Sequence, residues 1–313
     1  RSPKRKNRRS PKRKSRHSPK RKSRRKSRKK SRSRRKMRMN NWVRRNCLGC
    51  CYRPPIEGIV MYVDHGLENL LRNSIEYINP NLVDPKTGHA LVYIATTSGQ
   101  PEILQILVDA DADVNWIDPV TGNTSAYIAS RNGKIDCLQI LVNAGADVNI
   151  PNNEGETPVY IATKKQDLEV LQILVNAGAD VNKKTNRGET PLIRALRFWG
   201  TEILQILVRA RGVDVNLQSS AWINNYSVNN TPVWWAARTG NVVGLQILIN
   251  AGAILTLRGG DSDLTPLEVA ISEGNDACAN IITEVIAQEE DQAIINRHDS
   301  STEGSVSSIP EEE

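Results

Sequence analysis

The sequence predicts an all-α repeat solenoid with disordered tails at both ends. Three observations carry that expectation. A ten-residue phrase recurs as "ILVDADADVN" (106–115), "ILVNAGADVN" (140–149) and "ILVNAGADVN" (173–182), followed by the variants "ILVRARGVDVN" (206–216) and "ILINAGAIL" (247–255). Its leading Ile falls at 106, 140, 173, 206 and 247, in steps of 34, 33, 33 and 41. A second phrase precedes each of the five copies and recurs once after the last: "ALVYIA", "TSAYIA", "TPVYIA", "TPLIRA", "TPVWWA" and "TPLEVA", ending at Ala95, Ala129, Ala162, Ala195, Ala236 and Ala270. A fixed period near 33 residues is the mark of a stacked repeat.

The chain has 313 residues and a formal charge of +9, which averages two opposite parts. Residues 1–38 hold 24 Lys or Arg and no acid, and 1–45 hold 26 of the 43 basic residues. The remaining 17 face 34 acidic residues, so a basic arm is joined to an acidic body. The arm (1–45) has two Met and almost no other apolar residue, and its like charges repel, so burial cannot offset the entropy of ordering it. Ser-Pro-Lys-Arg-Lys occurs three times, placing Lys4, Arg5 and Lys6, then Lys12, Arg13 and Lys14, then Lys20, Arg21 and Lys22 behind Ser2, Ser10 and Ser18. These basic triplets are expected to contact nucleic acid or to direct nuclear import, and the three Ser to be phosphorylation sites. With no aromatic before Trp42, base stacking is not expected to add specificity. The chain begins at Arg1 and not at Met, so a fragment or processed product with a longer arm is expected.

A linker (46–57) follows, with "CLGCCYR" at 47–52. Three clustered thiols suggest zinc, yet no fourth ligand stands at a usual spacing. Reversible acylation beside the basic stretch is an alternative, and a reduced, loose segment is the default. Five scattered Cys argue for a reducing compartment rather than a disulfide framework. No metal or cofactor is expected. No apolar run approaches the roughly 18 residues of a membrane span, so no integral membrane contact is expected.

Within one period, a Gly-containing turn leads into Thr-Pro, where Thr caps a helix and Pro suits its first position. A short helix follows, ending at Gly99, Gly133, Gly240 or Gly274. A second helix presents Ile103, Leu104, Ile106 and Leu107 on one face. Neither helix can bury its face alone, and stacked neighbours can. Full units are placed at 84–117, 118–150, 151–184, 185–218 and 219–257. Residues 58–83 form an N-terminal capping unit, with 66–83 as its second helix, because Asn81 lies 34 before Asn115. Residues 258–290 form a C-terminal cap with an acidic outer face, and 291–313 an acidic disordered tail. Units 1 and 2 have a turn one residue longer ("DPKTG", "DPVTG"), and unit 5 carries a long turn, 219–230.

These phrases resemble the ankyrin repeat, which has a 33-residue period, a T-P-L-H-x-A phrase and a terminal G-A-D-V-N. The resemblance covers roughly residues 58–288. It implies a β-hairpin turn and two antiparallel helices per unit, stacked as a curved solenoid. It also implies binding of a protein partner through turn tips and first helices. The motif's His is replaced by Tyr93, Tyr127, Tyr160, Ile193, Trp234 and Glu268, so its usual link between units is absent, and Tyr hydroxyls are the expected substitute in the first three. Asn115, Asn149, Asn182 and Asn216 match the pattern that asparagine hydroxylases modify in such proteins, although bracing the turn is the simpler role. The arm with these Asn-rich repeats is also similar to ankyrin proteins of large DNA viruses.

Aromatic residues gather where the units depart from the pattern: Trp116, Trp199, Trp222, Tyr226, Trp234 and Trp235. They are the expected partner-binding residues, because Trp and Tyr bury large areas at low entropy cost. The competing role for Trp234 and Trp235 is filling the core where the His is missing. The four His lie without a matching nucleophile and acid, and no enzyme site is expected. The preferred reading is a monomeric, non-catalytic adaptor, intracellular and more nuclear than cytoplasmic. The alternative is a nucleic-acid-binding protein whose acidic solenoid regulates its own arm.

Overall fold

The computed structural model describes residues 56–303 except 199, 224, 225 and 261, and of residues 220–229, 295 and 297–303 the backbone alone. The basic triplets, Ser2, Ser10, Ser18, the clustered Cys, Trp199 and residues 304–313 lie outside the described residues, as do the side chains of Trp222 and Tyr226. The chain divides into Arg1–Arg53 and Pro54–Glu313, and the description concerns the second unit.

That unit is a stack of helix pairs. The capping pair is α1 (Ile56–Asp64) and α2 (Glu68–Arg72). Units 1 to 4 contribute α3 (Leu91–Ser98) with α4 (Pro101–Asp109), α5 (Ser125–Asn132) with α6 (Ile135–Asn143), α7 (Pro158–Lys165) with α8 (Leu168–Asn176), and α9 (Pro191–Arg197) with α10 (Thr201–Val208). Strands β1 (Ser219–Ile223) and β2 (Tyr226–Asn230) precede α11 (Pro232–Thr239) and α12 (Val242–Asn250), and α13 (Pro266–Ser272) with α14 (Asp276–Glu303) closes the stack. First helices pack on first helices and second on second, giving two layers.

Local chemistry sets each helix. Thr124, Thr157, Thr190 and Thr231 each accept a hydrogen bond on the hydroxyl from the backbone N–H three residues on, and Thr265 forms a full capping box with Glu268. Ala90 stands in the Thr position of unit 1 and gives no such cap. Between the layers, Leu104, Leu138, Leu171, Leu204 and Leu245 are buried, as are Leu107, Leu141, Leu174, Leu207 and Leu248. These are two Leu columns, each contributing one residue per unit.

A hydrogen-bond ladder joins the units. Asp147 Oδ1 accepts the Asn149 N–H at 2.8 Å, and Asn149 Oδ1 accepts the Asp180 N–H of the next unit at 2.7 Å. The same pair of bonds repeats from Asn81 to Asp113, Asn115 to Asp147 and Asn182 to Asp214. Asn216 accepts from Ile254, where Ile254, Leu255 and Thr256 replace Asp-Val-Asn and the ladder ends.

Three elements differ from the sequence expectation. The capping unit has a first helix starting at Ile56, and its second helix is one short turn ending at Arg72, followed by a 3-10 turn at Ile75–Tyr77. The break comes at Asn73-Ser74, where the Ser74 hydroxyl turns back to the Leu70 carbonyl at 2.8 Å. The long turn of unit 5 is an antiparallel hairpin whose register pairs Trp222 with Ser227 and Ile223 with Tyr226. The last helix runs past residue 290 to Glu303, because Ala, Gln and Glu propagate a helix even where its packing face has ended.

Candidate functional site: the groove between turns and first helices

Two adjoining cavities of about 510 and 330 Å³ lie between the turns and the first helices of units 2 to 4. Their walls are formed by side chains that the stack leaves over once its core is filled. The turns are closed by their own polar residues. Asp84 and Asp118 each accept from two backbone N–H groups and a Thr hydroxyl, which accounts for the longer turns of units 1 and 2. For Asp118, burial pushes the carboxyl up, and the Thr121 hydroxyl with two backbone N–H groups brings it below its ordinary value. Turn meets turn directly as well: Asn186 N–H donates to Glu154 O at 3.0 Å, against Gly155 at φ +76. A Cβ on Gly155 would stand 2.6 Å from that nitrogen.

Behind the turns, the residues that replace the motif's His make new links. Tyr127 donates its hydroxyl to Glu156 Oε2 at 2.7 Å, and Tyr160 to Glu189 Oε2 at 2.5 Å. Each Glu belongs to the following unit and is nearly buried. Each also meets cations: Lys164 Nζ lies 2.7 Å from Glu156, and Arg197 3.0 Å and Arg194 3.7 Å from Glu189. Burial first, then the adjacent carboxylate, raises both Tyr hydroxyls far above the ordinary phenol value. Ile193 is simply core. Trp234 makes a different link, its indole N–H donating to Leu264 O of the cap at 3.0 Å.

The structure therefore corrects two of the six aromatic sites. Trp234 and Trp235 are 3% and 5% exposed and cannot meet a partner. Trp234 packs against Gly260 and fills the volume of the missing His; Trp235 sits edge-on to it at 6.4 Å. Trp116 is half-buried, its ring 5.4 Å from Tyr93 and 6.3 Å from His89. Beside it, Ile117 and Val120 are 48% and 78% exposed. Trp222 and Tyr226 stand on the hairpin strands. Asn115, Asn149, Asn182 and Asn216 are partly buried, with their carbonyl oxygens engaged in the ladder.

Charge is what the sequence did not disclose about this groove. Arg131, Lys164, Lys165, Arg187, Arg194 and Arg197 line the two cavities against only Glu154, Glu156 and Glu189. Arg131, Lys165 and Arg187 are exposed and make no ion pair among the described residues. The groove is thus cationic within an acidic body. The signal was present: two residues after the closing Ala of the first helices of units 2 to 5 stand Arg131, Lys164, Arg197 and Arg238.

A family profile described as ankyrin repeats (3 copies) matches residues 60–152 and 128–219, half of the chain. The chain belongs to the ankyrin-repeat family. An ankyrin repeat domain from Acinetobacter baumannii, a crystal structure at 1.00 Å resolution, is similar in fold, with a TM-score of 0.56 and 24% identity over 63% of this chain and 98% of that one. No curated protein matches the chain. Ankyrin repeats generally mediate protein–protein contacts, and the groove lies where a stack of this kind exposes side chains it does not need for its own cohesion. No helix among the described residues is long and apolar enough to cross a membrane.

Proposed function

We propose that this ankyrin-repeat protein is a non-catalytic adaptor. Its solenoid holds a protein partner in the groove of units 2 to 4, and its basic arm carries the complex to nucleic acid or into a nucleus. The observation that supports the reading most is the division of labour in the stack. Leu columns, the Asn ladder and the Tyr–Glu links meet the cohesion of the units. The groove's exposed cations and the apolar Ile117 and Val120 are left with no such task. Trp116, and Trp222 and Tyr226 of the hairpin, are proposed as further contacts of the same partner. Lys4, Arg5, Lys6 and the two triplets that follow supply the arm's charge, and phosphates on Ser2, Ser10 and Ser18 would remove only about 6 of its 24 charges.

Two measurements test the reading. A peptide of residues 1–45 is titrated with duplex DNA between 50 and 200 mM salt; affinity is expected to fall by roughly 10³–10⁵ if 6–10 phosphates are engaged. A slope near zero removes nucleic acid and leaves import. The full chain is then compared with a chain lacking 1–45 for protein capture. A partner retained by both supports the adaptor, and a chain that captures nothing beyond what the arm alone captures defeats it.

A further inference from the structure

The cations of the first helices are ordered, three of them in the groove and Arg238 one unit beyond it. Arg131, Lys164, Arg197 and Arg238 occupy one register position on four successive first helices, each two residues beyond a buried Ala. The seven extra residues of unit 5 do not interrupt the series, because α9 and α11 still pack side by side and the insertion is taken up by the hairpin. Units 1 and 6 carry Thr97 and Ser272 there, so the series begins at unit 2 and stops at unit 5. The two inner cations are fixed in place: Lys164 by Glu156 and Arg197 by Glu189. Arg238 lies 3.3 Å from Glu273 and 5.4 Å from the Trp234 ring, and Arg131 has no ion pair among the described residues.

Packed helices lie about 8–10 Å apart, which sets the spacing of the series. A chain in the polyproline-II conformation advances about 3.1 Å per residue and repeats every three residues, so three residues of a ligand span one unit and every third side chain faces the same way. We infer that the groove receives an extended acidic segment of a protein partner carrying a carboxylate at every third residue, an inference that rests on the adaptor reading above. A nucleic acid strand fits less well. Its phosphates recur about every 3.4 Å along the axis, some three times more densely than the cations. Glu154, Glu156 and Glu189 between the cations would oppose that continuous charge and tolerate one carboxylate per unit.

The test uses the full chain and two fluorescent 15-residue peptides of equal composition. One places five Glu at every third position; the other gathers them in a block. The arm attracts both alike, since it reads charge alone, so the ratio of the two affinities isolates the groove. The periodic peptide is expected to bind about tenfold more tightly. Arg131→Gln, on an exposed side chain, is expected to weaken it about threefold without changing the block peptide or the melting temperature; Arg238→Gln is expected to weaken it about threefold as well, with affinity counted per folded molecule because it also removes the Glu273 pair. Equal affinity for the two peptides overturns the inference. So does a periodic preference that survives both substitutions, or an oligonucleotide whose affinity falls with them while the peptides stay undistinguished. Each of these results leaves the adaptor reading standing if a captured partner persists; capture of no partner beyond the arm's own defeats that reading instead.

Discussion

Tyr127 of unit 2 and Glu156 of unit 3 are joined across the unit boundary by a 2.7 Å hydrogen bond, with the phenol as donor. Tyr160 and Glu189 repeat the arrangement one unit later. Tyr127→Phe removes the donor and leaves a nearly buried carboxylate with Lys164 alone. A bond to a charged group is worth more than a neutral one, so a loss of about 1–3 kcal/mol in denaturant melts is expected. A change within about 0.3 kcal/mol would mean that the bond contributes nothing to the stack.

The same pair predicts the alkaline limb of stability. Both hydroxyls titrate higher when folded than in an unfolded chain, where a phenol loses its proton near pH 10. Their contribution is complete below about pH 10 and falls as pH rises further, because the unfolded state releases its protons first. Melting temperature against pH should decline more steeply above pH 10 for the native chain than for the Tyr127→Phe, Tyr160→Phe double variant. Parallel curves would contradict the assignment.

Leu174 is fully buried between α8 and its neighbours. Leu174→Ala deletes part of the central Leu column and is expected to cost about 2–5 kcal/mol. A cost below about 1 kcal/mol in a urea titration would place the residue outside the column.

Asn149 tests the ladder by chemistry rather than by size. Its side-chain oxygen accepts from Asp180, which Asp can also do and Ala cannot. Asn149→Ala should cost about 1 kcal/mol, and Asn149→Asp should retain most of that. Equal losses would show that the amide nitrogen, not the oxygen, carries the role.

The period, the paired helices and the caps were legible in the sequence because each rests on a local rule: Thr before Pro, Gly after a helix, Leu on one face. The ladder was partly legible, since the 34-residue offset of Asn81 from Asn115 placed the capping unit. Trp234 and Trp235 misled because composition alone cannot say which way a side chain points. Both stand on α11, which packs against α9, α12 and α13, and the stack buries both. The cation series escaped notice for a different reason. Its members are 33 or 41 residues apart, and only the stack brings them onto one surface.

The ladder has a direction and a fixed stoichiometry, one acceptor offered forward and one donor offered back by each Asp-Val-Asn. A copy of unit 3 spliced in behind itself would therefore find both neighbours already matched, with no unpaired amide at either seam. A fragment of a unit would leave one group unmatched on each side. This architecture favours lengthening by whole units over partial ones, and the identical phrases at 140–149 and 173–182 have the form such a duplication would leave. The ladder itself ends where Ile254 and Thr256 stand, since no Asp or Asn is present there to carry it into the unit that follows.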